Sequence, residues 1–269
     1  MSAGADRVGF VPRILAVPAL LGLALLALPL TALVLRVDWS TLWSDVTSPE
    51  AVSALGLSLA TGLTATAVCV VLGVPLALLI ARSGSRMAAV LRAVVTVPLV
   101  LPPMVGGVAM LFLFGRTSWL GGILAEWGLR IPFTTTAVVL AQTFVALPFL
   151  VLALEGSLRT TGVGYEQAAA ALGAGRWTIL GRVTLPLAAP GLIAGIVLCF
   201  ARAIGEFGAT ALFAGNAPGV TQTMPLAIYT AFNGAGVSQG TAVALSLLLL
   251  VTAVGVLLLV RAWRPEAQR

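Results

Sequence analysis

Arg202 and Glu206 stand four residues apart in an otherwise apolar stretch, ARAIGEFGAT, running from Ala201 to Thr210. On a helix that spacing sets both side chains on one face, one turn apart, where their charges neutralise each other. A lone charge at the centre of a bilayer costs about 2.5–3.5 kcal/mol on insertion scales, so such a pair belongs inside a helix bundle and not against lipid. Two roles fit it. The pair could lock helices together, or Arg202 could attract an anion while Glu206 keeps the site from holding it too tightly.

A second informative stretch is SLRTTGVGYEQAAAALGAGRWTILGRVTLPLAAPG, from Ser157 to Gly191. Its alanine run, Gln167 to Leu172, predicts a short helix, and Gly173 closes it. Side chains that small present a smooth ridge suited to docking into a groove on a partner. Pro186 and Pro190 are then expected to break the chain before the next apolar segment.

Other chemistry is excluded by what is missing. The chain has no His and no Lys; all fifteen basic residues are Arg. A zinc motif of the HExxH type, a Ser-His-Asp triad and a GK[ST] phosphate loop are therefore impossible. The nine acidic residues form no carboxylate dyad within the apolar segments. A membrane enzyme thus lacks its catalytic groups, and a channel would need charge rings or a filter loop that do not occur. Cys69 and Cys199 form no CxxC pair and read as small buried residues.

The elements that must position these residues are membrane helices. The 269 residues are 59% hydrophobic and only 9% charged, with mean hydropathy +1.09. A soluble domain needs more charge to cover its surface, so the apolar surplus faces lipid. The expected fold is all-α, one transmembrane domain over 1–269, with about six spans at 14–35, 54–81, 93–114, 136–155, 191–213 and 241–260. Ile14 to Leu35 is too long for a signal-peptide core and is followed by no small-x-small cleavage site, so it reads as an uncleaved first span. The third span carries Pro98, Pro102, Pro103 and Gly106-Gly107, which fits either simple kinks or a broken helix lining a cavity.

The net charge of +6 is a matter of topology more than of nucleic-acid binding. Eleven arginines fall in the N-terminal tail, the 82–92 loop, the 156–190 loop and the C-terminal tail, against Arg36, Arg116 and Arg130 on the other side. Both termini are therefore expected in the cytoplasm. No charge occurs from Phe207 to Val260. Within the outer loop 214–240, Thr223-Met224-Pro225 predicts the start of a short helix tucked back toward the bundle.

The 157–190 loop resembles the EAA loop of bacterial ABC-import permeases, whose pattern is EAA, three residues, Gly, nine residues, Ile-x-Leu-Pro. Gln167-Ala168-Ala169, Gly173 and Val183-Thr184-Leu185-Pro186 stand at its spacing; Gln167 replaces the Glu, Val183 replaces the Ile, and Glu166 stands next door. The stretches VPLVLPPMVGG (97–107), ARAIGEFGAT with AGN (201–216) and PGVTQTMPLAIYT (218–230) are similar to the molybdate and sulfate permease subgroup, with the molybdate or tungstate members the better match. The resemblance implies a type I ABC importer permease fold in the bacterial cytoplasmic membrane. It implies coupling to an ATPase through Glu166, Gln167, Ala168, Ala169, Gly173, Leu185 and Pro186. It also implies a homodimer, two cytoplasmic ATPase subunits that carry ATP and Mg, no cofactor in this chain, and an extracytoplasmic oxyanion-binding protein. A sulfate or thiosulfate permease is the nearest alternative.

Overall fold

The computed structural model describes residues 13–234 and 239–262. Arg7, Arg264, Arg269 and the loop positions 235–238 lie outside the described residues. Among the described residues every regular element is helical.

After a short helical turn, Arg13–Leu15, the first span is α1, Ala16–Leu35, which buries none of its residues in the bundle. A short helix, α2 (Leu42–Val46), leads to α3, Pro49–Arg82. The start of α3 is set by Ser48, whose Oγ accepts the Ala51 N–H at 3.3 Å, and by Pro49 in the first turn, where a missing N–H costs nothing. Its 34 residues make a rod of about 50 Å at 1.5 Å per residue, longer than the hydrocarbon layer.

The third apolar segment is not one helix. Ser85–Val100 (α4) and Pro103–Phe114 (α5) meet at an angle of 110°. Consecutive prolines at 102 and 103 remove two N–H donors, and the residue before a proline is pushed out of the helical region. Leu101 is accordingly extended, at φ −67° and ψ 135°. Of the two sequence expectations, the broken helix is the one observed. Because α4 begins at Ser85, Arg86 and Arg92 sit on it, and the connection from α3 is shorter than an 82–92 loop.

A short helix, α6 (Trp119–Glu126), precedes α7, Thr135–Thr161. Thr134 caps α7, its Oγ1 accepting the Ala137 N–H at 3.3 Å. This helix is the hub of the bundle and packs against α3, α4, α5 and the later helices Leu185–Ile204 and Gly208–Phe213. Small buried residues (Ala137, Ala141, Ala146) let its neighbours approach closely.

The segment after α7 contains α8 (Gly164–Ala171), α9 (Arg176–Ile179), a π-helical turn (Leu180–Thr184) and α10 (Leu185–Ile204). The expected break at Pro186 and Pro190 does not occur. Pro186 falls in the first turn of α10, and the wide turn before it is closed by the Leu185 N–H on Leu180 O. Pro190 is carried within the helix, as spanning helices tolerate. The fifth span also ends sooner than the expected 213. Gly205, Glu206 and Phe207 interrupt it, and α11 (Gly208–Phe213) follows.

The uncharged outer segment folds back as its Thr223-Met224-Pro225 signal predicts. It forms α12, Met224–Phe232, with Met224, Leu226, Ala227 and Ala231 buried. The Met224 N–H donates to Ser58 Oγ on α3 at 2.7 Å, and Thr135 Oγ1 donates to Val220 O at 2.9 Å. The last helix is α13, Gln239–Ala262.

Among the described residues four helices are long and apolar enough to cross a membrane, or five crossings where the bent α4–α5 pair counts as one span. The sixth apolar segment is the 24-residue α13. Trp39, Trp43, Trp119 and Trp127 are all exposed, and all lie in the two connections that also hold Arg36, Arg116 and Arg130. Exposed tryptophans in such connections suit an aromatic belt at a membrane–water interface.

Candidate functional site

The alanine-rich helix is formed as expected. Gly164–Ala171 is helical, and Gly173 reverses the chain at φ +86°, a conformation open to glycine without strain. The Gly173 N–H donates to Ala170 O at 3.0 Å, and the Ala174 N–H to Ala169 O at 3.0 Å. Gln167, Ala168, Gly173 and Pro186 are exposed, while Glu166, Ala169 and Leu185 are half-buried. Beside them stand Leu172 and Trp177, 89% and 84% exposed. Two bare apolar side chains thus flank a smooth, exposed alanine ridge.

Glu166 does not share that outward surface. Its Oε1 is paired with Arg82 Nη2 at the end of α3 and accepts Thr184 Oγ1 at 2.8 Å. Sequence reasoning missed both partners, which are 84 and 18 residues away. A cleft of about 460 Å³ opens beside the carboxylate, lined among others by Leu78, Arg82, Glu166, Arg176 and Leu180.

Arg202 and Glu206 do form an ion pair, Nη2 to Oε2 at 2.6 Å. The setting differs from a single helical face, since Glu206 lies past the end of α10. Its second oxygen accepts the Ala209 N–H at 2.8 Å, so one carboxylate bridges the last turn of α10 and the first turn of α11. Glu206 is 1% exposed and Arg202 25%. The break is also where α5 arrives. A Cβ on Gly107 would lie 2.8 Å from Ala209 O and 3.0 Å from its Cα. The two interrupted spans therefore meet backbone to backbone near the ion pair. Discontinuous helices of this kind expose carbonyls and N–H groups within a bundle, where transporters place their sites.

Two further clusters were not foreseen. Glu155, buried in α7, takes Arg92 from α4 (Nε 3.2 Å, Nη2 2.5 Å) and Arg159 from its own helix (Nε 2.8 Å). The i,i+4 spacing of Glu155 and Arg159 was the available signal; the link to Arg92 had none. Cys69 and Cys199, distant in sequence, are free thiols in one buried cluster with Ala65, Ala146, Leu150 and Ala203.

Residues 73–266 match the family described as binding-protein-dependent transport system inner membrane component. The chain belongs to this family. The permease is 51% identical over 254 residues to the molybdenum transport system permease protein ModB of Mycobacterium tuberculosis, covering 94% of this chain and 95% of that one. It is 40% identical over 192 residues to ModB of Haemophilus influenzae, with 71% and 84% covered. Its backbone superposes with TM-score 0.69 on a crystal structure of a bacterial ABC transporter involved in import of the acidic polysaccharide alginate, covering 96% of each chain at 16% identity. The permease therefore has the fold of type I ABC importer permeases and is a multi-pass membrane protein.

Proposed function

We propose that this chain is the permease subunit of an ATP-driven importer of molybdate, or of the isosteric tungstate, in a bacterial cytoplasmic membrane. The observation that carries the reading is end-to-end likeness to ModB permeases, 51% identical over 94% of the chain. The geometry agrees with it. The exposed ridge from Gln167 to Gly173, with Leu172 and Trp177, supplies a surface for an ATPase, and the arginine-rich connections support a cytoplasmic position for that surface and both termini.

Two copies of the chain, two ATPase subunits and an extracytoplasmic oxyanion-binding protein complete the machine. The chain has no lysine for a GK[ST] loop, so ATP and Mg reside on the ATPase and this subunit needs no cofactor of its own. Closure of the ATPase dimer on ATP draws the two ridges together and shifts the bundle toward its outward-open state. A loaded binding protein favours the same state, so delivery and closure reinforce each other.

Reconstitution of the permease with its ATPase and binding protein tests this. Molybdate and tungstate should stimulate ATP hydrolysis and uptake far more than sulfate. Preferential stimulation by sulfate would replace the molybdate reading with a sulfate one, and no response to any oxyanion would remove both.

A further inference from the structure

The EAA pattern that this loop resembles has an acid where the chain has Gln167, and Glu166 stands one position earlier. One residue on a helix is a rotation of about 100°. That rotation turns the carboxylate away from the exposed ridge and toward this chain's own bundle. There it meets the final residue of α3, Arg82, and the final residue of the π turn, Thr184. Thr184 is 6% exposed and directly precedes α10.

On the importer reading given above, we propose that Glu166 is a positioning residue that transmits movement of α8 to α3 and α10, and that it makes no contact with the ATPase. The argument is mechanical. The main packing of α8 is on α9 and the π turn. Between α8 and the ends of α3 and α10 lies the cleft, with Leu78, Arg82, Ile179 and Thr184 on its walls. Space cannot pull. Across it, the Arg82–Glu166–Thr184 chain is a bonded connection that draws the two spans along when α8 is displaced. The π turn is placed to absorb the change, since its i+5 bonding leaves a local irregularity where helices flex and where functional sites gather. Glu166 Oε1 is shared by Arg82 and Thr184, which leaves the exposed Gln167, Ala168 and Leu172 to face the partner.

The test uses the complete complex with ATPase and loaded binding protein. It compares wild type with Glu166→Ala, Glu166→Gln, Thr184→Val and the exchange Arg82→Glu/Glu166→Arg. Co-elution of the ATPase reads docking, and spin labels on α8 and α10 read the ATP-driven displacement of one with the other. Glu166→Ala should keep the ATPase bound yet lower oxyanion-stimulated hydrolysis by about ten-fold, the scale of an allosteric coupling. The exchange should recover part of that loss, and Glu166→Gln, which keeps an acceptor for Thr184, should fall between. Full stimulation and unchanged label distances in Glu166→Ala would overturn the proposal. So would loss of the ATPase in Glu166→Ala without recovery in the exchange, because Glu166 would then be a docking contact. Failure of the importer reading looks different: wild type would bind ATP and move α10 while ignoring every oxyanion.

Discussion

Gly208 seats directly on Pro103: a Cβ added to Gly208 would lie 3.1 Å from Pro103 Cβ and 3.2 Å from the Met104 nitrogen. The first residue of α11 thus touches the first residues of α5, and the two breaks in the spanning helices are one structural feature. Neither break alone would be tolerable in hydrocarbon, because each frees backbone polar groups. Buried against each other they are shielded from lipid.

Gly107 on α5 packs across the same junction, against the backbone of α11. A methyl group there meets backbone atoms of Ala209 at 2.8 and 3.0 Å, which cannot rotate aside. Gly107→Ala should cost about 1–3 kcal/mol through overpacking. The neighbouring Val108→Ala, on an exposed position, should cost far less. Thermal unfolding of the two variants in detergent, followed by size-exclusion chromatography, would show the difference.

The Arg202–Glu206 pair predicts an asymmetry between single and double variants. Arg202→Ala leaves a 1% exposed carboxylate without its cation, a change that costs about 3–5 kcal/mol in buried pairs. Arg202→Ala/Glu206→Ala removes the stranded charge and loses chiefly the bond to the Ala209 N–H. The double variant should therefore fold and assemble better than the single one. Equal yields of assembled complex, with equal loss of uptake, would point instead to Arg202 acting on the transported anion.

Much of this architecture was legible in the chain. Length, hydropathy and arginine placement locate the apolar segments, and the alanine run with Gly173 locates α8, because these signals are local. The prolines were harder to read. Pro102-Pro103 breaks its helix and Pro186 does not, and what separates them is context: Leu101, held extended before Pro102, ends α4, while the π turn before Leu185 absorbs the irregularity. The partners of Glu166 and Glu155 were invisible for a different reason. Arg82 and Arg92 reach them across helix packing, and periodicity within one segment carries no information about which segments become neighbours. The end of α10 at Ile204 was masked by apolar residues on both sides of Gly205-Glu206, which read as one continuous span.

Gln142 is fully buried in the N-terminal part of α7, and neither its Nε2 nor its Oε1 has a hydrogen-bond partner among the described residues. An unsatisfied buried amide costs about 1–3 kcal/mol. Gln142→Leu, close in size and without polar atoms, should therefore raise the unfolding temperature of the permease. If that gain comes with a loss of uptake, the amide finds a partner in another state of the transport cycle. A lower unfolding temperature would show that the side chain is bonded in the resting protein.

The tight end of α8 gives the most direct test of the docking ridge. Gly173 sits at φ +86°, and its N–H donates to Ala170 O. Proline fixes φ near −65° and has no N–H, so Gly173→Pro removes both the turn and the bond. The damage is confined to an exposed connection outside the spans, so membrane insertion and the fold of the bundle should survive. Docking should not, since Leu172 and the ridge would be redirected. Gly173→Ala keeps the N–H and strains only the backbone, by roughly 1–2 kcal/mol, and should retain part of the activity. The measurement is substrate-stimulated ATP hydrolysis of the assembled complex, with correct insertion checked by protease accessibility. Stimulation in Gly173→Pro equal to that of wild type would show that the ATPase docks elsewhere and that the 167–173 ridge has been misassigned.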